Sequence, residues 1–214
     1  MAAMTPDEVR ARMRAAPHPL PPPPAWLRPE RLPDGAPFER PVAPSGARLA
    51  AALILVYPGI HGEAMLVLTE RVDYGGDHSG EVSLPGGKVD PGDADATATA
   101  LREAHEEVGL DSALDGVEVV GGLDALWIPP SNFRVEPVVA IAARRPTFVP
   151  DRREVAAILE APVTAFLPDV VPVIIDPDPR GRPFRYGAYL VEGRIVWGAT
   201  AAILGQFGAV LGAR

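Results

Sequence analysis

Four residues able to do chemistry fall within six positions of one another: Arg102, Glu103, Glu106 and Glu107, in the stretch REAHEE. The run Pro85-Gly86-Gly87-Lys88 stands a short way ahead. Side chains three and four positions apart are neighbours on a helix surface, so the three carboxylates crowd together. Each like-charge pair costs roughly 0.2–0.5 kcal/mol, so the arrangement does nothing for the helix itself. A solvated acidic face is the ordinary meaning of such a charge run. An all-oxygen cluster also suits Mg2+, which takes one or two carboxylates, keeps several waters and reaches out to substrate phosphates. The Gly86-Gly87-Lys88 turn adds backbone that an anion can approach closely, and one basic side chain. Acidic cluster and glycine turn together favour the cation reading.

These residues need a helix and a loop held against something rigid. Asp93 or Asp95 can cap a helix running to Val108, where Gly109 supplies a left-handed stop. At about 100° per residue, Ala98, Leu101, Ala104 and Val108 form its apolar stripe, with the glutamates opposite and His105 beside the stripe as a packing residue. Upstream, LAAALILVY (49–57) and AMLVLTER (64–71) read as two strands joined by a turn. Downstream, VEVVGGLDAL (117–126) and RVEPVVAIA (134–142) read as strands, and REVAAILE (153–160) as a helix ending at Pro162. VPVII, YGAYLV and RIVW add strand material. GATAAILGQFGAVLG (198–212) carries no charge and has its large apolar residues at helical spacing. Such a helix is buried, either against the sheet or at a homodimer interface. Strands and helices without strict alternation indicate an α/β fold of the α+β kind, a mixed sheet flanked by helices.

The N-terminal region differs in character. Thr5-Pro6-Asp7-Glu8 is a helix start, and that helix must stop before Pro17. From there to Pro44 the chain is proline-dense, including PPPP at 21–24. It reads as an extended arm wrapped on the domain surface. The expected organisation is therefore a helix and arm over 1–47 and a catalytic domain over 48–214.

The 214 residues carry a formal net charge of −8, which disfavours sequence-independent nucleic-acid binding. Nucleotides stay possible, because bound divalent cations supply positive charge locally. The absence of cysteine excludes disulfides, thiolate metal sites and cysteine nucleophiles. Neither a P-loop nor a partnered Ser-His-Asp set occurs. No apolar run is long enough to span a bilayer, so a cytoplasmic protein without membrane partners is expected.

Pro85-Gly86-Gly87 followed by Arg102-Glu103-Ala104-His105-Glu106-Glu107-Val108-Gly109-Leu110 resembles the Nudix box, whose second half reads R-E-apolar-x-E-E-x-G-apolar. The resemblance implies a Nudix-type α/β/α sandwich and a hydrolase that splits nucleoside diphosphate derivatives with Mg2+ or Mn2+. It implies Glu103 and Glu107 as principal metal ligands and Glu106 as a further ligand or as the base for the attacking water. Arg102 would orient the carboxylates. The first half of the box departs: the expected glutamate is Ala94, with Asp93 and Asp95 as substitutes. Glu154 is a candidate base or extra ligand from a late loop, against the ordinary role of an acid at a helix N-terminus.

The residues ahead of the box are similar to the coenzyme A diphosphatase group. LTER (68–71), then His78-x-Gly80 leading to Pro85-Gly86-Gly87, keep that group's spacing, and GGKxDPxDxD keeps its extra residue. Four family positions differ, occupied here by Val72, Gly75, Gly76 and Leu84. The missing arginine at Gly76 removes a bidentate phosphate clamp. This resemblance implies a coenzyme A-like nucleotide substrate met by Arg71, His78, Gly86, Gly87 and Lys88. Two other readings stand beside it: a Nudix hydrolase for ADP-ribose or dinucleotides, and a Nudix-fold module that binds a nucleotide without cleaving it. Modules of the last kind usually lack box glutamates, and this chain has all three.

Overall fold

From the N-terminus, helix α1 (Pro6–Arg14) is followed by the two-residue strand β1 (Glu30–Arg31), then β2 (Arg48–Pro58), β3 (Ala64–Arg71), β4 (Val82–Ser83) and β5 (Gly86–Lys88). Next come helix α2 (Ala96–Val108) and strands β6 (Val117–Gly122), β7 (Leu126–Ile128), β8 (Phe133–Ala142) and β9 (Val155–Pro162). The chain closes with β10 (Val173–Ile175), β11 (Phe184–Val191), β12 (Arg194–Val196) and helix α3 (Gly198–Gly212). This computed structural model describes residues 3–34, 42–73, 75, 80–176, 178 and 181–213.

The organising strand is β2. Its residues 50–57 are buried without interruption, as expected of a strand covered on both faces. It runs parallel to β8 over nine register positions and antiparallel to β3 and β5. The eight-stranded mixed sheet is ordered β4-β3-β2-β8-β6, with β5 on β2, β7 on β8 and β9 on β3. Alternate residues of β2 feed two cores. Leu53, Leu55 and Tyr57 pack with Ala100, Ala104 and Val108 of α2. Ile54 and Val56 face the side that holds Val9 and Met13 of α1 and Leu204, Phe207 and Leu211 of α3. The sandwich of helix, mixed sheet and helix expected from the sequence is what forms.

Two expectations about elements need correction. Residues 155–162 are strand β9, paired along β3 from Met65↔Pro162 to Arg71↔Val155. A short apolar run has no decisive period, and the free edge of β3 settles its state. Residues 117–126 do not form one strand. The register on β8 shifts between Val119 and Gly121, and β7 resumes at Leu126. The uncharged helix α3 is buried within the chain itself, against α1, β11 and the 3-10 turns Ala25–Leu27 and Val163–Phe166. At Gly208 the helix backbone meets the Phe166 carbonyl so closely that a Cβ has no room.

The N-terminal segment packs on the rest of the chain. Thr5 and Glu8 form a reciprocal capping box at the start of α1, and Arg12 donates to the Leu211 carbonyl of α3. Further along the arm, Leu27 is buried and Trp26 packs edge-on against Tyr189. Strand β1 joins β11 in a second, four-stranded sheet with β10 and β12.

Candidate active site

Helix α2 begins where Asp95 caps the Ala98 N–H at 2.8 Å and ends at Gly109, which is left-handed (φ 71°). Its buried face comprises Thr99, Ala100, Ala104, Val108 and also Glu107. Thus Glu107 does not lie opposite the apolar stripe as its spacing suggested. It sits at the edge of the core, 3% exposed. His105 is exposed, and its Nδ1 lies 2.9 Å from the Leu110 carbonyl at the helix end, so it closes the helix and does not pack.

The glycine turn and the helix meet through β5. Gly86 and Gly87 pair with Ala52 and Ala51 of β2, and the Gly86 N–H donates to Glu107 Oε2 at 3.2 Å. Close approach requires the glycine at 86 and fixes the Glu103 side chain against the one at 87. A Cβ on Gly86 would strike β2 backbone, and one on Gly87 would strike the Glu103 carboxylate.

Arg102 is the hub of the cluster. Its Nε and Nη2 donate to the two oxygens of Asp93 at 3.0 and 2.9 Å, a bidentate pair. Nη1 donates to Glu103 at 2.9 Å and Glu106 at 3.2 Å, and Nη2 also reaches the Lys88 carbonyl at 3.1 Å. Asp93 therefore takes the bracing position left by Ala94, while Asp95 serves as the cap. The Arg102 hydrogen bonds hold the Asp93 carboxyl well below the usual carboxylate range.

Burial disfavours the charged form of both Glu103 and Glu107. Burial pushes the Glu107 carboxyl up to about 7, with the charges of Glu103 and Glu154 adding to it and the Gly86 N–H and Arg71 opposing. Burial also raises Glu103, against its bonds to Arg102. Among the described residues Glu107 pairs with the Arg71 guanidinium at 3.9 Å. Arg71 Nε is buried and has no hydrogen-bond partner among the described residues.

Glu154 lies on the turn before β9, so no helix N-terminus is available to it and the capping role lapses. The loop carrying it is docked on the end of α2: Val149 and Asp151 donate backbone N–H groups to the Val108 and Glu107 carbonyls. Glu154 is exposed and lines the same cleft of about 700 Å³ as Glu103, Glu106 and Glu107. Arg71, Gly86, Gly87 and Lys88 line it too. Lys88 is largely exposed and pairs with Asp90 at 3.3 Å. His78 and Gly76 lie outside the described residues.

Among the described residues no three of these groups are arranged as a closed metal cage. Glu103 is turned to Arg102 and Glu107 to Gly86. The donor set nevertheless fits a hard divalent cation. It is all oxygen, two of its carboxylates are desolvated, and further acids beside them raise both.

Sequence reasoning missed the opposite wall of the cleft. Trp127, Phe133, Phe184, Tyr186 and Trp197 line it, with Arg182. They come from three separate strands and the residue ahead of α3, and no local pattern announces their convergence.

A mixed sheet sandwiched by helices, with a glycine turn laid on a glutamate-rich helix, defines an α+β domain with an acid-lined cleft. The NUDIX domain family matches residues 47–171, and the chain belongs to that family. It is 38% identical over 161 residues to Nudix hydrolase 15, mitochondrial, of Arabidopsis thaliana, covering 72% of this chain and 55% of that one. It is 36% identical over 153 residues to an uncharacterized Nudix hydrolase NudL of Yersinia enterocolitica, covering 72% of this chain and 77% of that one. The chain spans about half the length of the plant relatives it matches. Among solved structures, a MutT/nudix family protein from Enterococcus faecalis shares the fold at a TM-score of 0.50 and 15% identity, covering 79% of this chain and 63% of that one. Among the described residues no helix is long and apolar enough to cross a membrane.

Proposed function

We propose that this protein is a hydrolase of the diphosphate bond in nucleoside diphosphate derivatives, with coenzyme A or an acyl-CoA as its substrate. The products would be 3′,5′-ADP and 4′-phosphopantetheine, or its acylated form. The observation that carries the reading is the convergence of Glu103, Glu106, Glu107 and Arg102 on the Gly86-Gly87 turn in one cleft. Glu103 and Glu107 would hold Mg2+ or Mn2+, with Glu106 as a further ligand. When bound, such a cation neutralises diphosphate charge and lowers the pKa of water at the site.

The chain's own residues do the rest. Arg102, itself fixed by Asp93, holds Glu103 and Glu106 in place. Arg71, with its buried Nε unpaired among the described residues, and exposed Lys88 supply donors to the diphosphate oxygens. Gly86 and Gly87 let the phosphates approach backbone. Glu154, with no side-chain hydrogen bond among the described residues, is suited to take the proton from the attacking water, since Glu106 is engaged by Arg102. His78 joins the substrate-binding set on sequence resemblance alone. A non-catalytic module has no use for a desolvated, repelling carboxylate pair, which favours the enzyme. A cytoplasmic setting belongs to the same reading.

The test is a hydrolysis panel with Mg2+ and with Mn2+ over coenzyme A, acetyl-CoA, ADP-ribose, NADH and dinucleoside polyphosphates, products identified by mass. Coenzyme A should be cleaved fastest. A clear preference for ADP-ribose, with coenzyme A barely touched, would leave the acidic site standing and remove the substrate.

A further inference from the structure

The family match ends at residue 171, yet the cleft does not. Arg182, Phe184, Tyr186 and Trp197 line it from the second sheet and the start of α3. Strand β11 alternates its side chains between two environments, as any strand must. Phe184 and Tyr186 face the cleft. Tyr189 faces the opposite way, edge-on to Trp26 of the arm at 5.1 Å and to Phe166 at 5.0 Å. Gly187, on that same side, lies so close to Trp26 that a Cβ would collide with it. The arm thus backs β11, and β1 pairs with its start through Glu30↔Arg185 and Arg31↔Phe184.

The cleft side of β11 is a connected aromatic series. Phe184 and Tyr186 stand 6.2 Å apart between ring centroids, and Tyr186 meets Trp197 edge-on at 5.6 Å. An aliphatic group needs only apolar area, which Leu, Ile or Val would supply. Aromatic rings in series suit a flat π system, and every nucleobase offers such a face. The acidic helix and this wall belong to one cleft, and a nucleotide carries both matching chemistries in one molecule.

We propose that Phe184, Tyr186 and Trp197 form the nucleobase-binding wall of the cleft, lying outside the NUDIX match and backed by the N-terminal arm. The inference deepens the diphosphate reading above and rests on it for the identity of the ligand class. Specificity for the base is then set by the C-terminal sheet, while the family domain handles the diphosphate.

AMP and ribose 5-phosphate differ only in the base, and neither has a diphosphate to cleave. Their binding to the full chain, the Trp197→Ala variant and the conservative Phe184→Leu variant can be measured by calorimetry, with far-UV circular dichroism and thermal unfolding confirming the fold. The unaltered protein should bind AMP more tightly than ribose 5-phosphate, and each variant should lose about tenfold in AMP affinity with ribose 5-phosphate unchanged. Equal affinity for the two ligands in the unaltered protein, or equal AMP affinity in folded variants, would overturn the wall. The hydrolysis panel on the same proteins separates the two claims. Base-dependent loss in a protein that cleaves no diphosphate supports the wall and sinks the hydrolase. Diphosphate cleavage with AMP binding indifferent to both substitutions does the reverse.

Discussion

Helices α2 and α3 flank the same sheet and have similar lengths, 13 and 15 residues, yet they obey different rules. α3 carries no charge, and ten of its residues are buried, so its composition follows from its position. α2 buries a glutamate and sets two more acids within a turn of it, against the interest of both helix and core. Local conflicts of this kind concentrate where function demands them. Substitutions on α3 should therefore change stability, and substitutions among the α2 acids should change chemistry.

The largest expected effect is on turnover. Glu103→Gln and Glu107→Gln keep shape but remove a carboxylate charge, and each should lower kcat by about 10²–10⁴-fold while far-UV circular dichroism stays unchanged. Glu154→Gln should lower kcat by about 10²-fold and remove the acid limb of the pH–rate profile. Near-normal turnover in both helix variants would place α2 under the same packing rule as α3.

A smaller loss is expected one step back from the cluster. Asp93 touches Arg102 and no other part of the proposed ligand set, so Asp93→Asn should cost about 10–100-fold in activity or metal affinity. The sequence allowed Asp93 or Asp95 to replace the absent glutamate at Ala94, and the bidentate pair to Arg102 selects Asp93. Contacts of this range are legible because they lie within one loop and one helix. The box glutamates, Arg102 and the existence of strands β2 and β3 were readable for the same reason: local pattern and short spacing carry them. Strand β9 was not, because its state depends on the edge of β3, far away in sequence through pairs that run from Arg71↔Val155 to Met65↔Pro162. Nor was the burial of Glu107, since a helical wheel shows which residues are adjacent and not where a neighbouring loop covers them. The aromatic wall depends on β11 meeting the cleft across the second sheet, and no spacing within residues 173–197 encodes that.

On the α3 side, Gly208→Ala should destabilise the fold by about 1–3 kcal/mol through overpacking against the Phe166 carbonyl. Thermal unfolding would measure this, and activity per folded molecule should be unaffected. A variant as stable as the original, or one whose folded fraction has lost activity, would blur the distinction between the two helices.

The smallest effect is a pH dependence. Glu107 titrates near 7 in the folded chain against 4.5 unfolded, so its neutral form favours folding. That stabilising contribution is fully present below pH 4.5 and is lost as pH rises through about 7. Without divalent cations the melting temperature should fall over this window, and Glu107→Gln should flatten the fall.

The proposed role of the crowded acids of α2 is to hold a cation. Calorimetric titration of Mn2+ at pH 8 into the unaltered chain and into the Glu103→Gln/Glu107→Gln double variant tests it directly. Saturable binding by the unaltered chain, absent from the folded double variant, is expected. Equal binding by both proteins, or none by either, would contradict it.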